Sequence, residues 1–234
     1  MSVQSVPKTN KSKAGRTRAA ILAAAENHFS LLGFAATRLE DIADELGLTR
    51  AALFYYFKDK QTLFDAMIAD AFGALARKLD GLIESSDGTI SQRLELGVGA
   101  WVDEVMARPN LARLVLRFVA DGIEQPAQRI FIENQQIPVK FFQLFEAGRS
   151  SGELEPLHDD PFHAASAIIG NTVFYVAALT ALVPNNHFEP LNPEQSSVHR
   201  REALHSARRL LGISSGETAG KPIKQQNRLQ QKAD

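Results

Sequence analysis

Between residues 37 and 60 the chain reads TRLEDIADELGLTRAALFYYFKDK, a stretch that few folds can accommodate. Leu39, Ile42, Ala43 and Leu46 recur at helical spacing and give a first helix one apolar face. Thr37, followed three residues later by Glu40, predicts a capping box at its start. Gly47 can take the positive φ that closes this helix without a Cβ clash. Thr49 offers a second N-cap, and Leu53 turns the next helix back onto the first. Two short helices joined by a glycine turn are the sequence shape of a helix-turn-helix, whose second helix can lie in the DNA major groove. An ordinary helical hairpin shares the caps and the glycine. It has no need of a surface carrying Arg50, Tyr55, Tyr56 and Lys60 together.

The stretch from Gly33 to Phe64, GF-x2-T-x-L-x-D-I-A-x-E-L-G-L-T-x-A-A-L-F-Y-Y-F-x-D-K-x-x-L-F, resembles the DNA-binding domain of the tetracycline-repressor (TetR) family, as does the preceding RTRAAILAAAENHFSLLGF. Together these segments cover roughly a quarter of the chain. The remainder resembles a ligand-binding domain of that family only in length and helical rhythm. Many relatives carry a tyrosine where Phe54 stands, so a hydroxyl contact to phosphate at that place is unavailable here.

The chain has 234 residues, of which 44% are hydrophobic and 23% charged, enough to pack a core. Without cysteine there are no disulfides, zinc–thiolate sites or thiol chemistry. No long uninterrupted apolar run marks a membrane span, and MSVQSVPKTNKSK lacks the apolar centre of a signal peptide, so a cytoplasmic location is expected. The formal net charge of −1 hides an uneven distribution: Lys8, Lys11, Lys13, Arg16 and Arg18 all precede the first acid, Glu26. Such an arm suits a phosphate backbone, and equally a solvated tail.

Everything else reads as helix. One helix is expected over 16–32, ending at Gly33, and a long one from Lys60 to about residue 83, connecting head to body. The segment SSDGT (85–89) marks the passage into the body. Helices follow over 91–106, after Pro109, from Pro126 through Phe145, and over 162–182, where Asp160 and Pro161 form a helix start. A last helix runs from Asn192, Pro193 and Gln195 to Leu211 before Gly212. The expected fold is all-α, an N-terminal three-helix helix-turn-helix domain joined by a long helix to a helical bundle for ligand binding and dimerisation. The expected organisation is a basic disordered arm (1–15), the helix-turn-helix domain (16–62), the body (63–213) and a disordered, glutamine-rich tail (214–234).

The segment AASAIIGNTVFYVAALTAL is apolar nearly all round, so burial within one subunit accounts for only part of its surface. The family resemblance implies dimerisation through the last two helices as a four-helix bundle, here with Ala167, Gly170, Phe174, Leu204 and Leu210 at the interface. It also implies an apolar cavity for a small effector. Candidate wall residues are Trp101, Phe118, Phe142, Phe145 and Tyr175, with polar anchorage from Asn171, Tyr175 or Gln143. On DNA, Arg50 and Ala52 are the candidates for base edges, and Thr37, Arg38, Thr49, Tyr55, Tyr56 and Lys60 for the backbone. Thr37 and Thr49 serve equally well as helix caps.

Catalytic readings fail. His158, Asp159, Asp160 and His163 have a chelating look, but the two carboxylates sit where a helix start wants them. Gly97-Val98-Gly99 lies in a helical pattern with no strand before it, so it is no phosphate loop. No metal, cofactor or enzymatic activity is expected. The resemblance implies a homodimeric regulator, favouring repression, released from a palindromic operator by an apolar or amphipathic effector. A ligand-independent DNA-binding regulator and a helical interaction module without DNA binding are the alternatives.

Overall fold

The structure, a computed structural model, describes residues 13–84, 88–121, 136–183 and 188–213. Among these there are helices and no strands. The head comprises α1 (Lys13–Ala36), α2 (Leu39–Glu45) and α3 (Arg50–Tyr56). The connecting helix α4 (Lys60–Glu84) leads into the body, formed by α5 (Ile90–Ala107), α6 (Asn110–Asp121), α7 (Gln136–Ser151), α8 (Pro161–Ala177), the single turn α9 (Leu179–Leu182) and α10 (Pro193–Leu211).

The basic arm is expected over 1–15, yet α1 already begins at Lys13, and residues 1–12 lie outside the described residues. So do the tail 214–234, the helix start at Pro126 and the centre of the loop before α10. Ile21, Leu22, Ala25 and Phe29 form the buried stripe of α1. By length and composition α1 could cross a membrane, but its apolar face is spent on the core of the head. At Gly33 the helix kinks at φ 80°, ψ 174°, a conformation suited to glycine, and continues for a further turn. A single helix over 162–182 is expected. The chain instead breaks at Ala178 and resumes as α9.

Capping explains most boundaries. Asp59 accepts from the Thr62 amide at 2.7 Å, Thr89 and Gln92 form a reciprocal capping box, and Asp160 accepts from Phe162 N at 2.8 Å. Asn192 accepts from the Glu194 amide at 2.9 Å, and Gly212 closes α10 in the left-handed region. A Cβ on Gly212 would sit 1.7 Å from the Glu155 carbonyl oxygen, so backbone approach and positive φ both require glycine there.

One apolar cluster runs without interruption from Ile21 and Phe29 in α1, through Leu53, Leu63 and Met67, to Val105, Leu111 and Val173 in the body. The first three turns of α4 therefore belong to the head's core as much as to the connection. Phe64 packs edge-on against Phe29 at 4.8 Å and reaches Phe118 of α6 at 6.3 Å. Farther out, α5 packs on α10 through Val98, Val102, Ala203 and Ala207. That pairing is flanked by Arg200–Asp103 at 2.6 Å and a bidentate Arg208–Glu95 pair at 2.9 and 2.7 Å.

Candidate nucleic-acid interface

Leu39, Ile42 and Ala43 of α2 and Leu53 of α3 are buried, which presses the two short helices against α1 and leaves their other faces to solvent. The turn between them is closed by Gly47 at φ 63°. Its amide donates to Asp44 O at 3.1 Å and the Leu48 amide to Ala43 O at 2.9 Å, the paired bonds of a Schellman motif. Thr49 then caps α3, its hydroxyl oxygen accepting from Ala52 N at 3.1 Å. That bond fixes the direction in which the first turn of α3 emerges.

The outward surface carries Arg38, Thr49, Arg50, Tyr55 (83% exposed) and the half-buried Ala52 and Tyr56. Tyr55 and Tyr56 meet edge-to-face at 5.3 Å. Arg50 lies 3.2 Å from the Glu40 carboxylate and over the Phe54 ring at 5.3 Å. The cation on α3 is thus held from two sides.

The structure gives two of the residues expected at the DNA backbone other partners. Thr37 does not open a capping box. The N-cap of α2 is Arg38, which makes no side-chain cap, and Thr37 is 1% exposed. Its hydroxyl donates to the Gly33 carbonyl at 2.7 Å, so it stabilises the kinked end of α1 and is not a phosphate ligand. Lys60 is likewise occupied. Its ammonium donates to Ala35 O at 3.1 Å and Thr37 O at 3.0 Å and lies over the Phe34 ring at 4.7 Å. It satisfies carbonyls that the end of α1 leaves open.

The model of bacterial regulatory proteins of the tetR family matches residues 21–67, which span this head and the start of α4. The chain is similar to the uncharacterized HTH-type transcriptional regulator YfiR of Bacillus subtilis, 24% identical over 158 residues, 64% of this chain and 74% of that one. It is also similar to the HTH-type regulator YdgC of the same organism, 35% identical over 92 residues, but spans only 47% of that relative's length. Among solved structures, the ketosteroid transcriptional regulator KstR2 of Mycobacterium tuberculosis superposes with a TM-score of 0.68 at 19% identity, over 89% of this chain and 100% of that one.

Residues 21–67 thus carry the DNA-binding domain of the tetR family, the mark of a DNA-binding transcriptional regulator, and the helical fold shared with KstR2 extends from head to body.

In the body the expected effector residues do not converge on one wall. Phe145 is fully buried with Leu94, Leu154, Ala164 and Leu211, a packed core position. Asn171 and Gln143 are exposed, and Asn171 shares the outer face of α8 with Gly170 and Phe174. Phe142 packs on the exposed Phe162 at 4.7 Å. Phe118 sits at the joint with the head, beside Phe64 and Phe72. Tyr175 stacks on His199 at 3.8 Å and donates its hydroxyl to Gln195 O at 3.2 Å. Trp101 lies where three apolar clusters meet, and its buried indole N–H has no hydrogen-bond partner. A shallow groove of about 390 Å³ is lined by Arg149, Ser150, Leu154, Glu155, Pro156 and Asp159, none of them an expected effector residue.

Of the residues expected at a dimer surface, Ala167, Gly170 and Phe174 are exposed. Leu204 and Leu210 are half-buried in their own subunit's clusters. On the same two helices Phe162, Ile169 and Val198 are also open to solvent, 65%, 44% and 39% exposed. A Cβ on Gly170 would meet nothing within 4 Å. Asp160 caps α8 and Asp159 pairs with Arg149, and no group of three His, Asp or Glu side chains able to hold a metal occurs among the described residues.

Sequence reasoning missed Arg108. It follows α5, donates through Nε to the Glu26 carboxylate of α1 at 2.7 Å, and reaches Asp70 of α4 at 3.0 Å. Glu26 is 5% exposed. The available signal was this lone acid on the apolar stripe of α1, one turn from Leu22 and Phe29.

Proposed function

We propose that this protein is a homodimeric repressor that binds a two-fold symmetric operator and is released by an apolar or amphipathic effector. The carrying observation is the paired outward surface. The head offers a capped α3 with Arg50 and Tyr55 exposed, and the body offers exposed apolar side chains, Phe162, Ile169 and Phe174 on α8 and Val198 on α10. A regulator whose two heads are fixed by contact through such side chains meets half-sites at a set separation along the duplex. In this reading Arg50 and Ala52 face base edges, and Arg38, Thr49, Tyr55 and Tyr56 face the backbone.

Two features support effector control. The unpartnered Trp101 indole N–H, buried among apolar side chains, is a donor that a ligand carbonyl or hydroxyl would satisfy. Phe118 joins α6 to the head core, so a ligand that shifts the body moves α1 and α4 as well.

Selection of bound duplexes from a random pool tests the reading. Enrichment of an inverted repeat whose half-sites lie one helical turn or a multiple apart is expected. Recovery of a single unrepeated motif, or no enrichment, would overturn it. A ligand that protects Trp101 fluorescence from quenching and weakens the operator complex is expected, with DNA weakening that ligand reciprocally.

A further inference from the structure

Arg50 opens α3, and the first turn of that helix is the part best placed to enter a major groove. A free arginine there would sample many rotamers and attract any phosphate. Here the Arg50 guanidinium is restrained by Glu40, with Nη1 and Oε1 at 3.2 Å, and by the Phe54 ring one helical turn along, at 5.3 Å. Glu40 comes from α2, so the restraint crosses the helix-turn-helix and does not depend on α3 alone. A carboxylate in the first turn of α2 also suits the helix dipole, but Asp41 already supplies one. Glu40 is the acid that meets the exposed arginine on the DNA-reading side.

We infer that Glu40 is a specificity-determining positioning residue, which pre-sets Arg50 to read a guanine in each half-site. This rests on the reading of α3 as the recognition helix. A guanidinium has five N–H donors, so one committed to Glu40 leaves enough for the two-bond fork to guanine O6 and N7. Phe54 supplies a flat face that limits swinging of the guanidinium plane. The Glu40 carboxylate also offsets the Arg50 charge, so random phosphates gain little from it while a correctly placed guanine keeps both hydrogen bonds. The pair thus trades non-specific attraction for discrimination.

The test uses the full chain and the operator recovered by selection, together with duplexes altered at each half-site position. Arg50→Ala identifies the base pair it reads, as the position where preference collapses. At that position Glu40→Gln should lower discrimination between guanine and the other bases by roughly tenfold. Affinity for random duplex should rise, with the log–log salt slope steeper by about one. Glu40→Ala should behave alike, and in the Arg50→Ala background Glu40→Gln should leave base preference unchanged. Both single variants should melt as the parent does, because the pair is solvent-exposed. If Glu40→Gln raises affinity for all sequences equally and keeps the guanine preference, Glu40 is only a repulsive surface acid and the inference is overturned. If Arg50→Ala leaves every preference intact, what has failed is the assignment of α3 to the groove.

Discussion

Lys60 shows how a single side chain changes meaning once its neighbours are known. In sequence it is a cation beside two tyrosines and reads as a phosphate ligand. In the fold its ammonium lies 3.1 and 3.0 Å from the Ala35 and Thr37 carbonyls, over the Phe34 ring. Charge-assisted bonds to carbonyls left open at a helix end contribute to stability, so Lys60→Ala should cost roughly 1–2 kcal/mol of unfolding free energy, read from the denaturant midpoint. A melting curve identical to the parent's, with a salt slope of DNA binding reduced by about 0.9, would return Lys60 to the phosphates. Thr37 follows the same logic. Its hydroxyl could be assigned to a cap from the Thr-x-x-Glu spacing, but tertiary packing drew it inward to the Gly33 carbonyl. Local patterns specify which residues can bond. They do not specify which partner wins when a kink brings another carbonyl closer.

At the scale of elements, the sequence was legible wherever a cap and a periodic stripe agreed. The Gly47 turn, the Thr49 cap, the Asp160–Pro161 start and the Gly212 stop all lie where spacing put them. Contacts between elements remote in the chain were not legible, because nothing local marks the partner of Glu26. Arg108, held beside Glu26 and Asp70, keeps its charge more firmly than an ordinary arginine. Burial opposes the charge, and the hydrogen bonds that Arg108 donates to the two carboxylates outweigh it. Arg108→Ala would leave the Glu26 carboxylate buried without its cation, at a cost of roughly 3 kcal/mol. Restoring stability with Glu26→Gln in the same chain would show that the buried charge was responsible. Failure of that second change to recover the loss would place the effect in packing of the α5–α6 turn.

A pH response belongs to the pairing of α8 with α10. Burial holds the His199 imidazole below its ordinary value of 6.5, and its Nε2 lies 3.2 Å from the Thr172 hydroxyl. The folded chain therefore takes up this proton less readily than the unfolded chain. The contribution is complete above pH 6.5 and is lost as pH falls from there through the folded-state value. Melting temperature should drop on acidification over that window, and His199→Gln should flatten the drop relative to the parent. Parallel profiles for the two proteins would assign the acid sensitivity to other groups.

The whole molecule joins two surfaces that neither a residue nor a helix explains alone. The apolar clusters of one subunit leave Phe162, Ile169, Phe174 and Val198 outside, exposed on α8 and α10. Gly170 provides a notch on that face where another helix can approach without displacing a side chain. Charge placed at Leu204 or Leu210 would be a poor probe, because both pack into their own subunit and the variants would unfold. Phe174→Glu is the cleaner probe, since the side chain is 48% exposed in one subunit and stands on α8, outside the helix-turn-helix. Its protomer should fold, with helicity and melting close to the parent's at low concentration, yet sediment as a monomer. Each head would then reach only one half-site. Operator affinity should fall by at least 100-fold while the residual binding keeps its base preference, since the reading surface is untouched. A Phe174→Glu protein that sediments as a dimer and retains operator affinity would move the subunit contact off the α8–α10 face. A monomer that still protects both half-sites at the parent's concentration would show that the two heads do not need the body to find their spacing.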